Sequence, residues 1–204
     1  MAVGFFEAQA AIVVVGRWLD AKGWAPATAG NYSMRLDDGS FAVTVSGRHK
    51  GRLTPDDVMR VDADGTSLDG QRPSAEAALH LHLYRLFPTC GAVLHSHSPG
   101  AVGMSRALAV DAFELAGHEM LKVLPGIDTH DISVRLPIVD NSQDMAGVAR
   151  AVEPALLAPA AIPAYLIRSH GLYGWGTTMA EAERVIEGIE WMIAAERAER
   201  DFRR

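Results

Sequence analysis

The stretch GAVLHSHSPG, residues Gly91–Gly100, sets an apolar run in front of two histidines one residue apart, His95 and His97. Side chains alternate faces along a strand, so residues two apart project to the same side and can share one ligand. A metal ion suits a pair of same-face imidazoles. The following PGAVGMSRALA reads as a helix, which makes the stretch a strand that delivers its histidines to a strand-to-helix turn.

A second pair, His80 and His82, lies in AEAALHLHLYRLF, a predicted helix capped by Ser74 and closed by Pro88. There an offset of two residues is a rotation of about 200°, and the rings diverge. The tetrapeptide RSHG supplies His170 at the end of a further strand as a third ligand for the His95/His97 pair. Three neutral imidazoles with an open position describe a catalytic zinc site. Cys90 is the only cysteine, so a cysteine-rich site is excluded and any metal must use histidine and carboxylate. Histidines satisfied by hydrogen bonds at strand ends would show the same spacing, and spacing alone leaves both readings open.

Outward from these segments, strands and helices alternate. Ala8, Ile12, Val15 and Leu19 recur at helical spacing between Phe5 and Lys22, with Gly23 as the C-cap. YSMRL and SFAVTVSG flank Asp37-Asp38-Gly39 as a hairpin. LTPDD carries a short-helix signal before the strand-like VMRVDADG. After a less regular stretch, SVRLPIVD reads as a strand, QDMAGVARAVEPALL as a helix and AYLIRSHGLYGWG as a strand pair or a strand with a turn. Thr178 and Glu181 have capping-box spacing ahead of a helix that runs to about Arg200. No dinucleotide fingerprint, phosphate-loop motif, repeat or linker interrupts the pattern. The expectation is an α/β chain with a mixed or mainly antiparallel sheet covered by helices, folding as one domain over residues 1–204.

Composition excludes several function classes. The net charge is −6, from 19 basic and 25 acidic residues, which argues against a broad nucleic-acid surface. The apolar segment ALLAPAAIPAYLI is too short for a bilayer and is broken by Pro159 and Pro163. The lone cysteine fits a reducing, cytoplasmic compartment.

Two carboxylates could serve such a centre. Glu76 sits in the first turn of the helix that starts at Ser74, where the helix dipole alone explains it. Glu119 lies in AGHEMLK among apolar neighbours; a partly buried carboxylate there would have a raised pKa suited to acid/base work, while a solvated helix face explains it equally. TAGN, VSGRHK and RPSAE place small, hydroxyl and amide residues at element ends, with Lys50 nearby, and could cradle a phosphate. Ordinary turn chemistry accounts for each separately.

Together TAGNYS, VSGRHKGRLTPDDVMRVD, RPSAEAALHLHLY, AVLHSHSPGAV and LIRSHGLYGWG resemble the class II aldolase family, in order and across nearly the whole chain. GHEMLK, LPIVDNSQDMA and HGLYGWGTTMAEAERVIEGIEWM are most similar to its dehydratase branch. The resemblance implies a three-layer α/β/α fold around a central, mainly antiparallel sheet, assembled as a homotetramer with sites near subunit boundaries. It implies one Zn²⁺ per subunit on His95, His97 and His170. Glu119 then matches the dehydratase acid/base, Glu76 the aldolase acid/base that can approach the metal, and Asn31, Ser46, Gly47 and Ser74 the phosphate-binding turns. The implied reaction is dehydration of 5-methylthioribulose 1-phosphate, with a sugar-phosphate aldolase or ribulose-5-phosphate 4-epimerase as the alternatives. Ala29 replaces the aldolases' usual serine in TSGN, and GHEM replaces the commoner HQEM, which leaves Glu119 in place. A non-catalytic adducin-like module would lack the three histidines.

Overall fold

The computed structural model describes residues 3–203; Met1, Ala2 and Arg204, which the expected unit over 1–204 includes, lie outside the described residues. Helix α1 (Phe5–Ala21) forms where expected, because Ala8, Ile12, Val15 and Leu19 fall on one stripe and are fully buried. Strands β1 (Asn31–Arg35) and β2 (Phe41–Thr44) make the hairpin around the Asp-Gly turn, pairing Ser33 with Val43 and Arg35 with Phe41. The Asp38 carboxylate accepts the Ser40 N–H at 2.9 Å, which closes that turn. A single 3-10 turn at Pro55–Asp57, capped by Thr54, leads into β3 (Val58–Val61).

The central segments follow as α2 (Ala77–Leu86), β4 (Ala92–Ser96) and α3 (Pro99–Ala107). Then come β5 (Ala112–Ala116), β6 (Ser133–Val139), α4 (Met145–Leu156), β7 (Ala164–Ile167), β8 (Gly171–Gly176) and α5 (Met179–Phe202). Two expectations shift. Strand β5 occupies the stretch read as irregular, since only Phe113 and Leu115 point inward and two residues are too few for a visible alternation. Helix α2 begins at Ala77 rather than beside Ser74: the Ser74 hydroxyl accepts the Glu76 N–H at 3.3 Å in a local turn that competes with the helix, and Glu76 becomes the N-cap residue.

Among the described residues eight strands form one sheet in the order β3-β2-β1-β4-β8-β7-β6-β5. Every pairing is antiparallel except β6 with β7, as a mainly antiparallel α/β/α fold requires. Two apolar cores follow from the period of two. Leu94, Leu166 and Leu172 pack under α1, α3 and α5, whereas Val93, Tyr165, Tyr173 and Trp175 pack under α2 and α4. The alternation Val93-Leu94-His95-Ser96 therefore sends His95 toward the α2 layer and Ser96 toward α5. Among the described residues no helix is long and apolar enough to cross a membrane.

Candidate metal centre and anion cavity

Strand β4 lies in the middle of the sheet, and its C-terminal end carries the first two imidazoles. His95 is fully buried and stacks on Tyr173 of β8, with ring centroids 3.9 Å apart, and Tyr173 stacks on Tyr165 at 4.8 Å. Each such pair contributes about 0.5–1.5 kcal/mol beyond its buried area and fixes the plane of the imidazole. His95 Nδ1 lies 3.0 Å from the Leu172 carbonyl oxygen, which can only accept, so Nδ1 carries the proton. The Nε2 lone pair is then left to face the other ligands. His97 follows the last residue of β4, and its N–H donates to the Trp24 carbonyl at 2.7 Å.

His170 sits in the three-residue turn between β7 and β8 rather than on a strand. Arg168 straps this turn to the end of α3: Nη1 donates to the Ser105 and Leu108 carbonyls at 2.7 Å each, and Nη2 to the Val110 carbonyl at 2.8 Å. Ser169 N–H donates to Ser105 Oγ at 3.1 Å. Gly171 has to be glycine, because a Cβ there would lie 2.0 Å from the Ser96 carbonyl oxygen. That close approach brings His170 beside His95, with their Nε2 atoms 3.4 Å apart.

The fourth member is Glu76, whose Oε1 lies 3.0 Å from His170 Nε2 and Oε2 3.4 Å from His95 Nε2. Asn31 opposes His95 across the β1–β4 ladder, and its Nδ2 donates to Glu76 Oε2 at 2.5 Å; Tyr173 OH donates to the same oxygen at 3.2 Å. Burial by itself would raise the Glu76 pKa, but the contacts with His170 and His95 and the Asn31 bond together hold the carboxyl well below its usual range. Burial pulls His97 down to about 4 and His95 well below the usual histidine value, so both rings are neutral near pH 7.

One ligand atom from each of Glu76, His95, His97 and His170 lies within 4.8 Å of the others. Tetrahedral zinc with Zn–N bonds of about 2.0–2.1 Å sets ligand nitrogens roughly 3.3 Å apart, which the His95–His170 separation matches. An unprotonated Nε2 turned toward a carboxylate is repulsive unless a cation lies between them. The donor set therefore fits a single zinc-type ion, with Glu76 at its edge.

The cluster opens into a polar cavity of about 260 Å³ lined by Asn31, Ser46, Gly47, Lys50, Ser74, Glu76 and His97, among others. Ser46 N–H donates to the Arg72 carbonyl, and Val45 bridges to Pro73, which stitches the two hydroxyl-bearing turns together. Lys50 is buried; its ammonium donates to the carbonyls of Thr28 at 2.9 Å and Arg48 at 2.7 Å, which leaves one of its three hydrogens for an anion. Burial lowers its pKa to about 8, against the pull of the Glu76 charge, so it stays largely cationic near neutrality. Asn31 Oδ1 is buried without a hydrogen-bond partner among the described residues and can accept from a bound molecule.

Two sequence expectations are corrected here. Glu119 is not partly buried: it heads a 3-10 turn at Glu119–Val123, and its side chain is 71% exposed. Its Oε1 accepts from Lys122 at 2.6 Å and Oε2 lies 3.4 Å from His130, and the Lys122 bond lowers its pKa rather than raising it. The apolar neighbours that suggested burial, such as Leu121, point to the core from the other side of the turn. Glu119 is absent from the cluster and from the cavity lining of its own chain. Glu76 serves no helix first turn; its carboxylate is turned to the histidines.

Tyr173 and Arg168 carry no functional reading in the sequence. The placement of Tyr173 was readable, since it alternates with Trp175 on the face of β8 that also receives His95. Arg168 carried no local signal, because its partners are carbonyls about sixty residues away.

Comparison with known proteins agrees with this geometry. The profile described as "Class II Aldolase and Adducin N-terminal domain" matches residues 10–196. A methylthioribulose-1-phosphate dehydratase of Methylococcus capsulatus is 48% identical over 192 residues, 94% of each chain. One from Gluconacetobacter diazotrophicus is 50% identical over 187 residues, 91% of this chain and 90% of that one. Among solved structures, an L-fuculose-1-phosphate aldolase from Thermus thermophilus superposes with a TM-score of 0.77 at 28% identity, covering 95% of both chains. With three histidines converging beside a polar cavity on this sheet, the chain belongs to the class II aldolase and adducin family.

Proposed function

We infer that the protein is a zinc-dependent hydro-lyase of methionine salvage, which dehydrates 5-methylthioribulose 1-phosphate to 2,3-diketo-5-methylthiopentyl 1-phosphate. The observation that carries this reading is the opening of the histidine cluster into a polar cavity with a buried lysine, in a chain about half identical to dehydratases of that name. A zinc ion held by His95, His97 and His170 would supply Lewis acidity toward the oxygens beside the reacting carbon and stabilise the charge that develops there. Ser46, Gly47, Ser74, Asn31 and Lys50 bind the phosphate end and fix the distance from phosphate to cluster. Asn31 and Tyr173 hold Glu76 ionised against the ligands.

Glu119 takes the acid/base role, carrying a proton from C3 to the departing C4 hydroxyl, which leaves as water; the enol that remains tautomerises to the diketone. Its exposure leaves it able to reach the site of an adjoining copy, in the homotetramer that the family resemblance implies. The lone buried thiol of Cys90 fits a cytoplasmic enzyme.

A second reading, a sugar-phosphate aldolase or pentulose-phosphate epimerase, is favoured by one observation: Glu76, not Glu119, is the carboxylate that lies at the cluster. The deciding experiment mixes zinc-loaded protein with 5-methylthioribulose 1-phosphate and follows the diketone phosphate by absorbance and mass. Loss of one water from the substrate is expected. No turnover with zinc bound would overturn the dehydratase reading and transfer the assay to deoxyketose and pentulose phosphates.

A further inference from the structure

Helix α5 presents its apolar stripe, Ile186, Ile189 and Ile193, to the sheet, and among them lies Glu190, only 5% exposed. A carboxylate in such a layer is unfavourable unless it is hydrogen-bonded, and a leucine would pack there without that penalty. Its partners explain its presence. Ser96 Oγ donates to Oε1 at 3.1 Å and Ser98 Oγ donates to Oε2 at 2.5 Å.

These two serines alternate with the ligands His95 and His97. Ser96 ends β4 and points through the sheet away from the metal cluster. Ser98 is the N-cap of α3, and its Oγ also accepts the Ala101 N–H at 3.0 Å. One carboxylate from α5 thus ties the end of the strand to the start of the helix, and His97 is the residue between the two ties. His97 has left the strand ladder, so these ties and its bond to Trp24 set the direction from which its ring reaches the ligands. Burial raises the Glu190 pKa to about 7 while the serine bonds pull it down, and the ionised carboxylate is the form that accepts from both hydroxyls.

We propose that Glu190 is a positioning residue of the metal centre, which holds the His95-Ser96-His97-Ser98 segment from behind and thereby sets the zinc affinity. The inference rests on the metal reading above, but not on the identity of the substrate. Its test compares the zinc dissociation constants of wild type, Glu190→Gln, Ser96→Ala and Ile186→Val by competition with a chromogenic chelator. Thermal unfolding of each zinc-free protein is measured alongside. Ile186→Val trims the same buried layer without touching either serine.

Glu190→Gln keeps the shape but cannot accept from both hydroxyls, and zinc binding is expected to weaken about tenfold, at the lower end for partners of metal ligands. Ser96→Ala should weaken it about threefold, while Ile186→Val lowers the unfolding temperature and leaves zinc affinity within twofold. Glu190→Gln with zinc affinity within twofold of wild type would overturn the proposal whatever its stability, as would an equal loss in Ile186→Val. Should Glu190→Gln fail to fold, Ser96→Ala decides: wild-type zinc affinity in that variant also overturns it. A wild-type protein that binds no zinc removes the metal centre and this inference together. Zinc binding without dehydration leaves the inference standing and removes only the proposed reaction.

Discussion

His97 and Lys50 do different work on the two sides of one cavity, and substitution separates them. His97→Ala removes a ligand while His95 keeps its stack and its Leu172 bond. Zinc affinity should fall by more than the roughly 100-fold seen when an outer partner of a ligand is lost, and metal analysis of the purified variant checks it. Retained stoichiometric zinc would remove His97 from the ligand set. Lys50→Met should leave zinc content unchanged and raise KM for the phosphate substrate about tenfold or more, the value of one lost charge-assisted bond. A normal KM in that variant would show that the anion is held by the turns alone. His95 and His97 were legible as a pair because strand periodicity is local. The burial of Lys50 was not, since it depends on carbonyls of Thr28 and Arg48 brought together by folding.

At the scale of elements, the centre is held by the junctions of β4 with α3 and of β7 with β8. The Arg168 guanidinium joins these junctions by donating to three carbonyls at the end of α3. Arg168→Ala should destabilise the protein by about 2 kcal/mol, as the largely covered carbonyls of Ser105 and Leu108 lose a charged donor. That corresponds to a melting point lower by roughly 4–8 °C in a chain of this size. The same variant should bind zinc more weakly, because the His170 turn loses its anchor; calorimetry and chelator competition read the two effects separately. Most elements announced themselves in the sequence through apolar period, caps and turn residues. Strand β5 did not, since two inward residues make no pattern, and α2 lost its first turn to the Ser74 hydroxyl. Glu190 left a trace, a charge set in an isoleucine stripe at helical spacing, but its meaning lay in serines more than ninety residues away.

For the whole molecule, a subunit mixing experiment tests the arrangement proposed for Glu119. Glu119→Gln and His97→Ala homomers should each be inactive, and hybrids formed by dissociating and reassembling the two should regain activity if Glu119 acts across a subunit boundary. Hybrids as inactive as the parents would confine Glu119 to its own chain or exclude it. Stability should also depend on pH. His80 is fully buried and its pKa is lowered to about 3, mainly by burial. The unfolded chain takes up that proton near pH 6.5, so below this the unfolded state binds more protons and stability falls as pH drops toward 3. His80→Gln in zinc-free protein should reduce the loss in urea midpoint between pH 6.5 and 5; an unchanged loss would assign the slope to other groups. By itself the sequence determined the alternation of elements, the sheet-facing stripes, the same-face histidine pair and the motifs of the family, because each rests on local periodicity or on residues close in the chain. Only the tertiary structure decided that Glu76 turns to the histidines while Glu119 is exposed on its own chain, that three separate turns line one polar cavity, and that Glu190 ties the serines on either side of His97. Those outcomes depend on which distant backbone groups and hydroxyls meet across the sheet, and no short-range pattern encodes such a meeting.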